Sequence, residues 1–112
     1  MIIDPKKIEE VAFHNFKGGK GDLFSRNYVD DKCKIMFSRL PAGSTSGLHT
    51  HEGNCEIVYV ISGTPTFVYD GKTEDVQTGQ VHYCPEGHNH YMENNTGEDV
   101  VYLAIVPEHH CK

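Results

Sequence analysis

The chain is a succession of short segments rich in β-branched and aromatic residues, and glycine, proline or asparagine separates most of them. The predicted strands are 23–29, 32–40, 56–61, 66–69, 72–76, 81–84, 90–93 and 100–106. Asp70-Gly71 lies between two of these segments and predicts a tight hairpin, because both turn positions need positive φ angles. Short strands at close spacing predict an all-β antiparallel barrel or sandwich. The missing alternation of strands and helices argues against a parallel doubly wound sheet.

Residues 4–12 are the segment with the strongest helical pattern. Asp4 could be the N-cap residue and Pro5 could occupy the first helical position. Ile8 and Val11 would then share one face. We expect at most a short helix at the N-terminal end of an otherwise β-structured chain.

Length and charge limit the classes of function. The chain has 112 residues, the size of one domain, and no linker divides residues 1–112. The formal net charge of −6 argues against nucleic acid, because such binding depends on Lys and Arg neutralising phosphates. No apolar run approaches the roughly 18 residues of a membrane-spanning helix, and residues 1–7 lack the apolar stretch of a signal peptide. We therefore expect a cytoplasmic protein that binds neither nucleic acid nor membranes.

Histidine is concentrated in the middle of the chain, and His49 and His51 begin this stretch. They are two residues apart, so on an extended chain both imidazoles point to one side. Glu56 follows after a short loop, and His90 would come from a distant strand folded over the same cavity. Three imidazoles and a carboxylate suit a divalent transition metal ion, namely Fe, Mn, Ni, Zn, Co or Cu. Four protein ligands leave two positions of an octahedral ion open, as a reactive site requires.

These residues resemble two motifs of the cupin superfamily. The first motif, G-x5-H-x-H-x(3,4)-E-x6-G, is matched by Gly43, His49, His51, Glu56 and Gly63. The second motif, G-x5-P-x-G-x2-H-x3-N, is matched by Gly79, Pro85, Gly87, His90 and Asn94. The resemblance implies an antiparallel jelly-roll barrel, or double-stranded β-helix, with motif 1 at 43–63 and motif 2 at 79–94. It also implies a metal ion held inside the barrel, and a homodimer in which the N-terminal segment packs on the partner.

Two further residues are candidates for the chemistry around the ion. His88 precedes His90 by two residues and could move a proton as a catalytic residue; an ordinary loop histidine is the alternative. Arg39 faces the cavity if Phe37 does, and its guanidinium could then bind a substrate carboxylate or phosphate. A solvent-facing arginine at the end of a strand is the alternative.

Other side chains carry structural expectations. Val58 and Val60 are predicted to face the cavity, while Tyr59 points away from it. Three tyrosines either line the cavity or pack behind it: Tyr83, Tyr91 and Tyr102. Three cysteines are expected to be small buried residues rather than disulfide partners: Cys33, Cys55 and Cys84. The histidines of the terminal stretch 108–112 are expected to belong to a frayed tail rather than to a second metal site.

The sequence thus predicts a metal-dependent enzyme that acts on a small oxygenated substrate. The classes considered are an isomerase or lyase of a sugar acid or keto acid, and an Fe(II) dioxygenase. The alternative is a non-enzymatic module that binds or senses a small molecule through the metal, and it is favoured by the lack of an unambiguous acid or base beyond the ligands. A purely structural metal is the third interpretation, which the open positions on the ion disfavour.

Overall fold

The structure, a computed structural model, describes residues 1–109. Its strands are β1 (Val11–His14), β2 (Asp22–Val29), β3 (Cys33–Leu40), β4 (His49–Thr50), β5 (Glu56–Ser62), β6 (Thr66–Tyr69), β7 (Lys72–Asp75), β8 (Val81–Cys84), β9 (Asn89–Glu93) and β10 (Val100–Pro107). The eight predicted strands are all present, and each observed end lies within one residue of the predicted one. Within residues 1–109, no helix has the length and apolar character needed to cross a membrane.

The strands form two antiparallel sheets, as the all-β jelly-roll prediction requires. The larger sheet has the order β1-β2-β3-β10-β5-β8, and the smaller has the order β4-β9-β6-β7. Strand hydrogen bonds do not join the two sheets into a closed ring over residues 1–109; β8 and β7 are therefore free edge strands of their respective sheets. Side chains from the inner faces of both sheets fill the space between them.

Alternation along β5 shows how the core is built. Val58 and Val60 are buried on the inner face, whereas Tyr59 and Ile61 are exposed on the outer face. The predicted inward and outward directions are right, but Val58 and Val60 pack in the core and do not line the cavity. The same period of two runs through β10, because successive side chains of a strand point to opposite faces. The inward side chains of β5 and β10 pack against those of β6 and β9 in one hydrophobic cluster.

Two glycine positions illustrate the local constraints. Asp70 and Gly71 have φ angles of 48° and 80°, which confirms the predicted hairpin between β6 and β7. At Gly47 a Cβ atom would fall 1.6 Å from the carbonyl oxygen of Lys17. Only glycine therefore allows the loop that contains Lys17 to lie against the segment leading into β4.

The N-terminal end differs from its prediction. Pro5–Lys7 forms one turn of 3-10 helix, and the Asp4 side chain caps it by accepting a hydrogen bond from the backbone N–H of Lys6. The chain then becomes extended, and Val11 joins β1, which pairs with β2. A helix of two or three turns is marginal in water, whereas β1 gains a row of sheet hydrogen bonds. The sheet contacts decide the outcome.

Candidate metal centre

The four predicted ligands converge although they come from separate segments. His49 in β4 lies directly opposite His90 in β9 in the antiparallel register. His51 follows β4, and Glu56 begins β5 after the intervening loop. Each of the four residues offers one ligand atom, and these atoms all lie within 4.8 Å of one another. We call these four residues the ligand group.

The distances within the ligand group are short. Glu56 Oε1 lies 3.0 Å from His51 Nε2, 2.9 Å from His90 Nε2 and 3.8 Å from His49 Nε2. His90 Nε2 lies 3.1 Å from both His51 Nε2 and His49 Nε2. Ligand atoms at right angles around an ion about 2.1 Å away are about 3.0 Å apart. The donor atoms therefore fit around one transition-metal ion.

Each histidine of the ligand group has its second ring nitrogen engaged. His49 Nδ1 lies 2.8 Å from the carbonyl oxygen of Gly47, and His51 Nδ1 lies 2.7 Å from Asn54 Oδ1. Both acceptors are oxygens, so both Nδ1 atoms donate. The Nε2 atoms contact the Glu56 carboxylate and would give up any proton on binding an ion. Such partners of Nδ1 fix ring orientation and tautomer in metal sites. The loop that separates β4 from β5 thus supplies both a ligand and the residue that orients it.

The ring of His90 is oriented by His82, for which the sequence analysis proposed no role. His90 Nδ1 lies 2.9 Å from His82 Nε2, and His82 Nδ1 lies 3.1 Å from Glu74 Oε2. His82 is 1% exposed. The signal in the sequence was the alternation in β8, where His82 and Cys84 share the face opposite to two exposed residues.

The pKa shifts of Glu56 and His51 arise from the contacts of the Glu56 carboxylate with the histidines of the ligand group. Burial alone would raise the pKa of Glu56, but hydrogen bonds with His49, His51 and His90 hold that pKa well below its usual value. Burial alone would lower the pKa of His51, but hydrogen bonds with Glu56 and Asn54 raise it above the usual value. The Glu56 carboxylate is therefore ionised at neutral pH, as a metal ligand must be.

The ligand group lies in the wall of a cavity of about 540 Å³. Apolar side chains such as Phe67 and Met92 line it, together with a polar set on β2 and β3. In this set Ser25 Oγ lies 2.7 Å from Ser38 Oγ and is also hydrogen-bonded to Asn27 Oδ1. The cavity therefore offers both apolar surface and hydrogen-bonding groups beside the candidate ion.

The side chain of His88 points away from the ligand group, although its backbone carbonyl accepts a hydrogen bond from the backbone N–H of His51. The backbone N–H of His88 donates to the carbonyl oxygen of Pro85, so it belongs to a turn and not to an extended strand. Its Nδ1 contacts the carboxylate of Asp70, its ring stacks on Tyr69, and its side chain is 43% exposed. His88 would share a face with His90 only on an extended strand, and the turn at Gly87 means that this condition is not met. The catalytic role of His88 stays a prediction.

Arg39 lies on the outer face of the larger sheet. The inward residues of β3 are Lys34, Met36 and Ser38, which line the cavity, so Phe37 and Arg39 point the other way. The Arg39 guanidinium forms two hydrogen bonds with Glu10, at 3.1 and 3.2 Å, and these hold the pKa of Glu10 below its usual value. The condition on which substrate binding by Arg39 rested is not met, and its contact with a substrate stays untested.

The tyrosines, cysteines and tail histidine named in the sequence analysis lie in different environments. Tyr102 lines the cavity, whereas Tyr83 is exposed. Cys55 and Cys84 are buried free thiols, as expected, and burial raises the pKa of Cys84 to about 12. In the C-terminal tail, His109 Nδ1 lies 2.9 Å from Glu86 Oε1. The other tail residues to which the sequence drew attention, 110–112, lie outside the described residues.

The jelly-roll fold and the converging ligand group define a small barrel protein with a candidate metal site. A family model described as "Cupin domain" matches residues 36–106. This chain therefore belongs to the cupin family.

Two curated relatives share the sequence of the barrel. The chain is 34% identical over 112 residues to an oxalate-binding protein from Thermotoga maritima, and the match covers 95% of this chain and 93% of the relative. It is 37% identical over 96 residues to an oxalate decarboxylase from Bacillus subtilis, over 74% of this chain but 25% of that longer relative.

Solved structures agree on the fold. A Thermotoga maritima protein described as a predicted oxalate decarboxylase superposes with a TM-score of 0.90 at 30% identity, covering 96% of this chain and 99% of the other. A sugar phosphate isomerase from Silicibacter pomeroyi superposes with a TM-score of 0.78 at 20% identity, covering 96% of this chain and 78% of the other. The second likeness shows the fold alone, since one fold serves many kinds of chemistry.

Proposed function

We propose that this chain is a metal-dependent cupin that binds a small dicarboxylate of the oxalate type at a divalent transition-metal ion held by the ligand group. The observation that carries the proposal is the meeting of the ligand group in the wall of a cavity of about 540 Å³. The full-length similarity to an oxalate-binding protein supplies the ligand class.

Charge favours an anionic ligand at this site. Three neutral imidazoles and one carboxylate leave a net charge of about +1 around a divalent ion. Lys17 and Lys34 are also among the residues that line the cavity, together with the acidic Glu52, although the whole chain carries a net charge of −6. A dicarboxylate with two neighbouring oxygens can occupy the two coordination positions that the protein leaves open. A monocarboxylate offers the ion fewer donors.

The ligand set narrows the metal to a class. Nitrogen and oxygen donors without thiolate suit Fe, Mn, Ni, Zn, Co and Cu, whereas calcium and magnesium prefer oxygen donors alone. When bound, such an ion would polarise the oxygens of the ligand as a Lewis acid. The residues of this chain orient the imidazoles, exclude water with apolar side chains and supply hydrogen-bond donors along β2 and β3.

Turnover of the bound anion is the second candidate function, as a lyase, an isomerase or a dioxygenase. Tyr102 favours it, because this tyrosine lines the cavity and burial raises its pKa above the usual value. The hydroxyl therefore keeps its proton at neutral pH and can donate a hydrogen bond to a ligand.

Calorimetric titration tests the proposal and separates the two candidates. Protein stripped of metal and reloaded with Mn(II), Co(II) or Zn(II) is titrated with oxalate, and acetate serves as the monocarboxylate control. We expect oxalate to bind the loaded protein, acetate to bind much more weakly, and the stripped protein to bind neither. Assays for formate, and for conversion of sugar acids, keto acids and phenolics, then detect turnover. Equal binding of oxalate with and without metal would contradict the proposal.

A homodimer is part of the proposal, and the outer face of the larger sheet supports it. Two apolar rows cross this face in register: Val81, Tyr59, Leu103 and Phe37 form one, and Tyr83, Ile57, Ile105 and Ile35 form the other. Several of these side chains are strongly exposed, for example Val81 at 56% and Tyr83 at 53%. Exposed apolar patches of this kind mark association surfaces, and a two-fold dimer buries the same patch on both copies.

Light scattering after size-exclusion chromatography tests the dimer. Tyr59→Lys and Tyr83→Lys place a charge in the two apolar rows, and we expect both variants to shift the mass from dimer towards monomer. Thr73→Lys, at an exposed position on the edge strand of the other sheet, adds the same single charge and should leave the mass unaltered. A monomeric wild-type chain at micromolar concentration would contradict this part of the proposal.

A cytoplasmic location completes the proposal. Cys33, Cys55 and Cys84 are all free, and free thiols are typical of reducing compartments. Fractionation of the native host tests this, and recovery from an extracytoplasmic fraction would contradict it.

A further inference from the structure

The two sheets meet edge to edge at β7 and β8, where strand hydrogen bonds do not join them. A side-chain contact spans this seam: Glu74 projects from β7 and His82 projects from β8, with Glu74 Oε2 lying 3.1 Å from His82 Nδ1. His82 in turn lies 2.9 Å from the ligand-group residue His90. A series of contacts thus runs from Glu74 at the surface through His82 to His90 in the ligand group.

His82 has little freedom to turn away from this contact. Its ring is 1% exposed and stacks on Phe67, with 3.8 Å between ring centroids and 17° between the planes. The His90 ring lies edge to edge with it in nearly the same plane, with 5.1 Å between ring centroids and 16° between the planes. Tyr69 closes the edge of the His82 ring at 5.7 Å. The orientation of His82 is therefore set by packing, and both nitrogens face a polar partner.

The positions of the protons follow from the two ends of this series of contacts, the Glu74 carboxylate and the ligand group. An ionised carboxylate only accepts hydrogen bonds, so His82 must donate from Nδ1 to Glu74. A neutral imidazole that donates from Nδ1 carries its lone pair on Nε2, and this atom of His82 lies 2.9 Å from Nδ1 of His90. That lone pair accepts from Nδ1 of His90, and the lone pair of His90 is left on Nε2. This is the atom that faces the centre of the ligand group.

We propose that Glu74 and His82 are positioning residues that set the tautomer of His90 and strengthen its Nε2 as a metal donor. The inference rests on the proposed metal site. His49 and His51 are oriented by neutral groups, a backbone carbonyl and an amide. The contacts that orient His90 differ from both because they end at the charged side chain of Glu74, which is 47% exposed. A surface carboxylate thereby acts on a buried metal ligand through an intervening imidazole.

Four variants test the series of contacts from Glu74 through His82 to His90, which we call the relay. Glu74→Gln keeps the shape but can donate as well as accept, and so it releases the constraint on His82. His82→Phe keeps a flat ring on Phe67 and removes the acceptor for His90. Asp75→Asn removes a charge from the neighbouring residue of β7, which pairs with Thr66 instead. Glu74→Asp keeps an acceptor-only carboxylate and is the conservative rescue.

Two measurements are made on each variant. Proton–nitrogen correlation spectra of the Zn(II)-loaded protein, in which Nε2 of His90 binds the ion and cannot donate to the Glu56 carboxylate, report which ring nitrogen of each histidine is protonated. Competition with a chelating dye gives the affinity for Zn(II). We expect the wild type to show the Nδ1–H form at His82 and His90. We expect Zn(II) affinity to fall about 10- to 100-fold in His82→Phe, and less in Glu74→Gln.

The outcomes separate the relay from the metal site on which it rests. In Glu74→Gln the Nδ1–H signal of His82 should shift, because an amide replaces its carboxylate acceptor, whereas Asp75→Asn and Glu74→Asp should keep the wild-type spectrum. Wild-type tautomers and affinity in both Glu74→Gln and His82→Phe would overturn the relay while leaving the metal site standing. A wild-type protein that fails to bind any transition metal would instead overturn the proposed function.

Discussion

The histidines inside the barrel and those on its surface make similar contacts with different consequences. On the surface, His14 lies 2.8 Å from Asp22 and His109 lies 2.9 Å from Glu86, one carboxylate for each ring. Inside, three imidazoles converge on the single carboxylate of Glu56. The His14 side chain is 77% exposed, whereas that of His51 is 7% exposed.

The difference shows what makes a histidine–carboxylate contact a candidate metal site. Water screens an exposed pair, so such a pair contributes little to stability. A buried carboxylate must be compensated, and here three ring nitrogens surround it. Convergence and burial, rather than the number of histidines, distinguish the interior group. The following predictions test that distinction.

The largest expected effect is the loss of metal from His51→Ala. Removal of one of the four ligands should lower the Zn(II) content sharply, and the rise in Tm on adding Zn(II) should disappear, because a ligand that binds the native state stabilises it. His14→Ala, which removes an exposed histidine, is the matched control and should keep both. Elemental analysis and thermal melts measure the two properties. Equal metal content in His51→Ala and His14→Ala would contradict the claim that the buried ligand group, and not the exposed histidines, binds the metal.

The next effect is a dependence of metal affinity on pH. The raised pKa of His51 means that protons compete with the metal from above the ordinary histidine pKa. Metal affinity should therefore fall as the pH is lowered from about 7.5 to about 5.5, because the imidazoles must be neutral to bind. Dye competition across this range measures it. A flat profile would count against histidine ligation.

A smaller effect concerns the stability of the metal-free protein in acid. Because the folded-state pKa of Glu56 is lowered, its ionised form contributes stability above its unfolded pKa, about 4.3, and this contribution is lost as the pH falls through the folded pKa. Glu56→Gln lacks this titration and should lose stability at neutral pH, on the order of 1–3 kcal/mol. Denaturant unfolding at pH 7 and at pH 3 should show the gap narrowing in acid. A constant gap would contradict the assignment.

The smallest effect is expected at Arg39. Its guanidinium pairs with Glu10 on the outer face, so Arg39→Ala should leave the affinities for Zn(II) and for oxalate unchanged. Calorimetry on the loaded variant measures both. A weakened affinity for oxalate with unchanged metal binding would instead support the substrate-binding role predicted from the sequence.

Much of this arrangement could be predicted from local patterns. The strands followed from alternation and turn residues, and the ligand group followed from the spacing of His49, His51, Glu56 and His90. The orienting residues were less accessible. His82 stands eight positions from His90 in sequence, and its contact with the Glu74 carboxylate depends on two edge strands of different sheets meeting.

The sequence by itself determined the all-β class, the boundaries of eight of the ten described strands and the set of candidate ligands, because these depend on the period of two and on short-range turn geometry. It did not predict β1 or β4. On β3 and β8, which carry no ligand residue, the tertiary structure alone decided which face points inward. It turned Arg39 outward and His82 inward, and it placed His88 in a surface turn. Alternation defines two faces but does not say which one is covered; that depends on how the second sheet packs against the first.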